Sequence, residues 1–243
     1  MCLIAIDGTY SFKFNSRSLG KDASGYPIGV LDSGMSNTYR FFVSSGYPRS
    51  EKFYFGGPRA GATGSDSGAI LSAVLDLIEQ GSCREVSLVG WSRGAVIASE
   101  VAEILHYGKR RVVTLGSRGS RFKGYRDIKH RPEVRFVGLF DSVSMNWTPP
   151  VARAPNDDTV GWGEELPNSV KYVAHVLAGD RSGPVQPVPL PFFKAAPNVT
   201  AKQSFELVIA HATHADVGGM SHTAKATQAY RFIRGHATKA GVP

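Results

Sequence analysis

The stretch at residues 85–95, which reads Glu-Val-Ser-Leu-Val-Gly-Trp-Ser-Arg-Gly-Ala, constrains the fold of this chain more than any other. Residues 85–89 are rich in apolar and β-branched side chains, which predicts a strand. Apolar residues recur at helical spacing over residues 95–107, which predicts a helix. Ser92 lies at the junction, flanked by Gly90 and Gly94. A serine on such a turn has its hydroxyl exposed at the carboxyl edge of a sheet, and the glycines let the backbones pass closely. The pattern predicts that Ser92 is a nucleophile.

The same turn would stabilise the negative charge that develops when a serine attacks a carbonyl group. The N–H groups at the start of the following helix point towards the serine. We therefore expect an oxyanion hole made of the Arg93 N–H and a second N–H from the loop after an early strand. The first predicted strand ends in Asp7-Gly8-Thr9, so Gly8 or Thr9 is the second candidate. The alternative interpretation is an ordinary tight turn between a strand and a helix.

Strand and helix patterns alternate through the first part of the chain, which predicts a mostly parallel sheet with helices on both faces. The strand patterns lie at residues 3–6, 52–55, 85–89, 111–115, 134–140, 170–178 and 205–210. The helix patterns lie at residues 38–43, 66–79, 95–107 and 223–235, and Ser36-Asn37 predicts a cap before the first of them. Residues 10–34 are rich in Gly, Ser and Asn and predict a loop.

The length of 243 residues is normal for one α/β domain, so we expect a single domain over residues 1–243. Two irregular stretches, at about residues 144–169 and 183–199, predict loop excursions. The hydrophobic fraction of 42% is enough for a sizeable core. Cys2 and Cys83 are the two cysteines, one at the N-terminus and one in a predicted turn, and we expect no disulfide framework and no cysteine-rich metal site.

No apolar run is long enough for a transmembrane helix, and an acid follows the first apolar residues too soon for a signal peptide. We therefore expect synthesis in the cytoplasm, with any export by a leaderless route. The net charge of +8 would suit an anionic lipid surface or nucleic acid. The basic residues are scattered, so we interpret most of this charge as solvated surface. An anionic membrane surface is kept as a candidate partner, and nucleic acid is not expected.

A nucleophilic serine needs an imidazole to take its proton and a carboxylate to fix the imidazole tautomer. In the α/β-hydrolase arrangement these residues follow in the order serine, acid, histidine. His214 is the best base, because it lies just past the last predicted strand, in a predicted loop where Gly218-Gly219 allows sharp turning. His211 is closer to that strand and is interpreted as packed, and His175 lies inside a predicted strand and is interpreted as a core residue.

Two carboxylates are candidates for the acid of the triad. Asp180 follows the penultimate predicted strand, the usual place for the acid, and Asp141 follows the strand before it, a rarer place. The sequence favours Asp180 slightly and leaves both open. A triad of this kind consists of side chains alone, so we expect no cofactor.

Two other classes of function remain as alternatives. A metal-dependent hydrolase would use His211, His214 and Asp216, with His222 nearby, as nitrogen and oxygen ligands. This alternative leaves the serine turn unexplained. A non-catalytic protein with a hydrolase fold would bind a partner through its basic surface, but such a protein should lack a member of the triad, and none is missing here.

Several motifs together resemble a known family. They are Asp7-Gly8-Thr9, Ser36-Asn37, Gly90-Trp91-Ser92-Arg93-Gly94-Ala95, Phe140-Asp141-Ser142-Val143, His175-Val176-Leu177-Ala178-Gly179-Asp180 and His214-Ala215-Asp216-Val217-Gly218-Gly219. The chain resembles an uncharacterised α/β-hydrolase domain family that includes phospholipase effectors of bacterial type VI secretion systems. The resemblance implies an α/β-hydrolase fold and a serine acyl-ester hydrolase acting on ester or lipid substrates.

This chain departs from the family pattern at three positions, Phe140, Ser142 and Arg181. The family usually has tryptophan at the first, threonine at the second and an acid at the third. The chain is also short, so we expect it to lack the membrane-docking additions of large effectors. These departures affect the expected substrate more than they affect ester hydrolysis.

Overall fold

A computed structural model of the chain describes residues 1–8, 18–21, 27–29, 36–57, 65–81, 83–116, 119–142, 165–179, 198–221 and 223–243. The strands are β1 (Cys2–Ile6), β2 (Ser18–Lys21), β3 (Pro27–Gly29), β4 (Lys52–Phe55), β5 (Glu85–Trp91), β6 (Lys109–Gly116), β7 (Gly119–Asp127), β8 (Glu133–Phe140), β9 (Glu165–Leu166), β10 (Tyr172–Ala178), β11 (Asn198–Val199) and β12 (Ser204–Ile209). The α-helices are α1 (Asn37–Ser44), α2 (Ser65–Glu79), α3 (Arg93–Tyr107), α4 (His214–Gly218) and α5 (Ala224–Lys239).

A parallel sheet of six strands, in the order β12-β10-β8-β5-β1-β4, forms the centre of the molecule. Alternate residues of β1 face opposite sides of it, as the two-residue period of a strand requires. Cys2, Ile4 and Ile6 pack with residues of α2 and α3, whereas Leu3 and Ala5 pack with residues of α1 and α5. Both faces of the sheet are therefore covered, and the predicted parallel sheet with helices on both faces is confirmed.

The register of the central strands brings the ends of three of them to one level. Ile6 of β1 pairs with Gly90 of β5, and Trp91 of β5 pairs with Phe140 of β8. Because these strands are parallel, the residues that follow them emerge at the same edge of the sheet. Ligands of open α/β sheets bind at this edge.

Two segments outside the central sheet differ from the sequence prediction. The strand predicted at residues 111–115 lies in β6, but it pairs antiparallel with β7 as a separate hairpin. The loop predicted at residues 10–34 contains the antiparallel pair β2 and β3. Strand propensity is local, whereas the choice of a partner strand depends on the rest of the fold, so the pattern did not identify the partner of β6.

Residues 144–164 and 183–197 of the two predicted loop excursions lie outside the described residues. At the C-terminal ends of these excursions, β9 and β11 pair as parallel strands, with Asn198 opposite Glu165 and Val199 opposite Leu166.

Among the helices that the structure describes, none is long and apolar enough to cross a bilayer.

Cys2 and Cys83 form a disulfide, so the sequence expectation of no disulfide is wrong. The pairing of β1 with β5 places Cys2 opposite Val86, close to Cys83, which lies just before β5. Their Cα atoms are 5.5 Å apart although 81 positions separate them in the sequence. The separation along the chain concealed a proximity that only the strand pairing creates.

We expect reduction of this disulfide to lower the free energy of unfolding by about 2 to 4 kcal/mol. The bond restricts the unfolded chain over a long loop, and breaking it restores that lost conformational freedom. The measurement is urea unfolding of the wild type with and without a thiol reductant. In the double variant Cys2→Ala/Cys83→Ala the reductant should change nothing. An unchanged wild-type midpoint would show that the bond adds no stability.

Candidate active site

Ser92 adopts a strained backbone conformation at the turn between β5 and α3. Its φ is 55° and its ψ is −124°, a region that non-glycine residues rarely occupy. Close packing maintains the turn: a Cβ on Gly90 would lie 2.5 Å from the Gly94 oxygen, and a Cβ on Gly94 would lie 2.2 Å from the Ile6 oxygen. Both flanking positions therefore require glycine. A sharp, strained turn of this kind is where the nucleophile of α/β-hydrolases is found.

Asp141 leaves the sheet beside Ser92. It follows Phe140, which pairs with Trp91, and the Ser92 N–H donates a hydrogen bond of 3.0 Å to the Phe140 carbonyl oxygen. The φ of Asp141 is also positive, at 42°. A hydroxyl and a carboxylate thus lie side by side, just after the carboxyl ends of the adjacent strands β5 and β8.

His214 is the first residue of α4 and contacts Asp141 directly. Its Nδ1 lies 2.7 Å from Asp141 Oδ2. Asp141 Oδ1 accepts the Ala178 N–H at 3.1 Å, so both carboxylate oxygens have partners. The exposed fraction of the His214 side chain is 15% and that of Asp141 is 8%, so water screens this contact only partly.

Opposing effects set the charge state of Asp141. Burial raises the pKa of its carboxyl group, but the hydrogen bond and charge of His214 and the Ala178 N–H outweigh burial, and the pKa lies below its ordinary value. Asp141 is therefore a carboxylate at neutral pH and an acceptor for a proton on His214 Nδ1.

The Trp91 side chain packs against the residues around Ser92 and His214, a contact that was not predicted from the sequence. The ring centroids of Trp91 and His214 are 5.4 Å apart. A Cβ on Gly8 would lie 2.6 Å from the Trp91 ring, and a Cβ on Gly218 would lie 2.1 Å from it. The indole thus fills the space that these two glycines leave open. The available signal was a large aromatic residue next to the serine, with glycines after the first strand and after the histidine.

The candidate oxyanion segments lie on either side of Ser92. Arg93 follows it directly and begins α3. On the other side, a Cβ on Gly8 would lie 3.1 Å from the Ser92 Cβ. The Gly8 N–H donates to Asp7 Oδ1 at 2.9 Å, so this N–H already has an acceptor. Thr9, the other candidate, lies outside the described residues.

The other candidate residues from the sequence are Asp180, His211 and His175. Asp180, the alternative acid, lies outside the described residues. His211, interpreted as packed from the sequence, is instead exposed; its φ is positive, at 55°, and its carbonyl oxygen accepts a hydrogen bond from Lys225 Nζ. His175 is buried in β10, and its Nε2 accepts the Ser142 N–H at 3.3 Å.

The residues of the metal alternative have other partners. His214 Nδ1 contacts Asp141, and both carboxylate oxygens of Asp216 accept hydrogen bonds, Oδ2 from the Thr213 N–H and Oδ1 from the Thr223 hydroxyl. His222 lies outside the described residues. In the part of the chain that the structure describes, no three His, Cys, Asp or Glu side chains are grouped so that they could hold a metal ion.

His214 begins the short helix α4, so its predicted position in a loop is wrong. Thr213 and Asp216 cap that helix reciprocally: the Asp216 N–H donates to Thr213 Oγ1 and the Thr213 N–H donates to Asp216 Oδ2. The Asp216 carboxylate also accepts from the hydroxyls of Ser221 and Thr223. Burial raises the pKa of this carboxyl group, but these bonds outweigh burial and lower it to about 2.

We expect Asp216→Asn to lower the free energy of unfolding at neutral pH by about 1 to 2 kcal/mol, because it weakens the cap of the helix that carries His214. The folded-state pKa of Asp216 is depressed from 3.8 to about 2, so its contribution is present above pH 3.8 and is lost as the pH falls towards 2. Denaturant unfolding between pH 7 and pH 2 should show the two proteins converging at the acid end. Asp127→Asn, at an exposed carboxylate of β7, is the control. A constant difference across this range would contradict the expectation.

Comparison with known proteins adds structural neighbours. No protein-family model matches the sequence, and no curated protein matches it. An uncharacterized protein from Pseudomonas aeruginosa is similar in structure, with a TM-score of 0.57 and 16% identity over 100% of this chain and 46% of that chain. The Tle1 effector, in a structure bound to the VgrG spike from the Type 6 secretion system, is similar with a TM-score of 0.50 and 18% identity over 90% of this chain and 50% of that chain.

The chain thus spans about half the length of these two proteins. At such low identities the likeness concerns the fold. Together with the strand order of the central sheet and the helices on both of its faces, it gives this chain an α/β-hydrolase fold.

Proposed function

We propose that the protein is a serine hydrolase that cleaves carboxylic esters, of the esterase, lipase or phospholipase type. The observation that carries this proposal is the 2.7 Å contact of His214 Nδ1 with Asp141 Oδ2 beside the strained Ser92 turn. In this proposal Ser92 is the nucleophile, His214 is the general base and Asp141 is the acid of the triad.

In the proposed acylation step, Ser92 Oγ attacks the carbonyl carbon of the ester while His214 Nε2 takes the hydroxyl proton. The Nδ1–H of His214 donates to Asp141, which selects this tautomer and stabilises the imidazolium that forms. The Ala178 N–H holds the other oxygen of Asp141 and so orients the carboxylate.

The carbonyl oxygen becomes an oxyanion, for which we propose the N–H groups of Arg93 and Thr9 as donors. Gly8 is the weaker candidate, because its N–H donates to Asp7. The imidazolium of His214 returns its proton to the leaving alcohol, and the acyl group stays on Ser92 as an ester. Water, deprotonated by His214, then releases the carboxylic acid and regenerates the serine. Each proton passes through His214, so the cycle needs no cofactor.

We further propose a lipid ester as the substrate and membership of the family that includes phospholipase effectors. The order of motifs along the chain supports this, as does the structural likeness to the Tle1 effector. The net charge of +8 would favour approach to an anionic membrane surface, which we keep as a candidate partner.

The test combines covalent labelling with a substrate series. A fluorophosphonate probe should label the wild type, and peptide mass spectrometry should locate the label on Ser92. Nitrophenyl esters of increasing chain length, with phospholipid vesicles in parallel, should identify the preferred acyl chain. Hydrolysis should persist in the presence of a chelator. An unlabelled protein, or one that a chelator inactivates, would refute the serine mechanism.

A further inference from the structure

Asp7 is a fully buried carboxylate that the proposed reaction does not use. It follows β1 and accepts three hydrogen bonds: Oδ1 accepts the Gly8 N–H at 2.9 Å, and Oδ2 accepts the Ser36 hydroxyl at 2.5 Å and the Tyr54 hydroxyl at 2.6 Å. All three donors are neutral groups. No cationic side chain of the described residues pairs with this carboxylate, so its desolvation is costly, and burial raises the pKa of Asp7 despite these bonds. The arrangement therefore calls for a reason beyond packing.

The first hydrogen bond fixes the segment beside the serine. Gly8 is in close contact with the Ser92 turn, and a Cβ on Gly94 would lie 2.4 Å from the Asp7 carbonyl oxygen. Residues 7–8 thus pack closely against the Ser92 turn. The hydrogen bond from the Gly8 N–H to the Asp7 carboxylate fixes the orientation of this N–H.

The second hydrogen bond leads to the helix that carries His214. Ser36 Oγ accepts the Tyr39 N–H at 3.0 Å as the N-cap of α1, and it donates its single proton to Asp7. Its neighbour Asn37 is buried, and its Nδ2 donates to the Val217 and Ala226 carbonyl oxygens, both at 2.9 Å. Val217 belongs to α4, which begins at His214. Asp7 is therefore connected through α1 to the position of the base.

We propose that Asp7 is a positioning residue for the reaction at Ser92, and that Ser36 and Asn37 transmit its effect to the helix of His214. The inference rests on the proposed function. The physical reason for this role lies in the strand pairing. Pairing of β5 with β8 determines the positions of Ser92 and Asp141 directly, whereas Gly8 and α4 lie beyond the strands. Side-chain hydrogen bonds from a buried carboxylate can orient these segments, which strand pairing does not reach.

The test compares Asp7→Asn with two variants of α1. Asparagine has nearly the same size but only one acceptor oxygen, so it cannot accept the Gly8 N–H on one oxygen and the two hydroxyls on the other, as aspartate does. We expect kcat per fluorophosphonate-labelled site to fall by about 10- to 100-fold, with KM changed by less than about threefold, because the loss concerns alignment in the transition state. Ser36→Ala, which breaks only the connection to α1, should lower kcat less. Ser45→Ala is the control: it removes a buried bond to the Phe42 carbonyl oxygen near the far end of α1 and should leave kcat unchanged.

The outcomes separate this inference from the proposed function. If folded Asp7→Asn has the wild-type kcat per labelled site and only a lower Tm, Asp7 is structural and the inference is overturned. If Asp7→Asn does not fold, Ser36→Ala decides, and a wild-type kcat in that variant overturns the inference as well. If the wild type itself neither reacts with the probe nor cleaves esters, the proposed function fails first and the positioning role fails with it.

Discussion

Replacing Ser92 by alanine is expected to abolish ester hydrolysis while the protein stays folded. We expect kcat to fall on the order of 10³-fold or more, because the hydroxyl is the atom that attacks the carbonyl group. The substitution removes one oxygen at a turn and leaves the contacts of Gly90 and Gly94 in place, so the free energy of unfolding should change little. The measurements are the hydrolysis of the best nitrophenyl ester and thermal unfolding of the same preparation.

The matched control is Ser99→Ala. Ser99 is a buried serine of α3, and its hydroxyl donates to the Ala95 carbonyl oxygen at 3.0 Å, away from the turn. This variant should keep both hydrolysis and fluorophosphonate labelling. If well-folded Ser92→Ala kept most of the activity, the serine mechanism would be wrong, and a nucleophile elsewhere in the chain would have to be sought.

Asp141→Asn should have the next largest effect, with a loss in kcat on the order of 10³- to 10⁴-fold. Asparagine keeps the shape of the side chain, but it removes the charge that stabilises the imidazolium and permits the wrong tautomer of His214. The change in KM should be small, because the interaction develops in the transition state. The sequence slightly favoured Asp180, whereas the 2.7 Å contact with His214 supports Asp141.

Asp180→Asn, assayed in parallel, makes this a comparison between the two carboxylates. We expect hydrolysis by Asp180→Asn to be close to that of the wild type. Thermal unfolding of both variants separates a loss of chemistry from a loss of stability. The reverse pattern, with Asp180→Asn inactive and Asp141→Asn active, would move the acid role to Asp180 and return the assignment to the one that the sequence favoured.

Much of the local structure could be predicted because it depends on neighbours in the chain. Apolar periodicity identified the six central strands, and Ser36 was correctly predicted as a helix cap. The need for Gly90 and Gly94 was also visible, since a serine between a strand and a helix requires small flanking residues. The nucleophile and base remain predictions that the sequence made and the geometry supports.

The sequence by itself therefore determined the fold class and the turn that carries Ser92, because both are set by short-range patterns. Only the tertiary structure decided which distant groups meet. The disulfide joins cysteines 81 positions apart, and the contact of His214 with Asp141 joins residues 73 positions apart. The fit of Trp91 between Gly8 and Gly218 likewise depends on three separate segments. Such contacts follow from strand order, register and the path of the connecting loops, and these are properties of the whole chain that no local pattern contains.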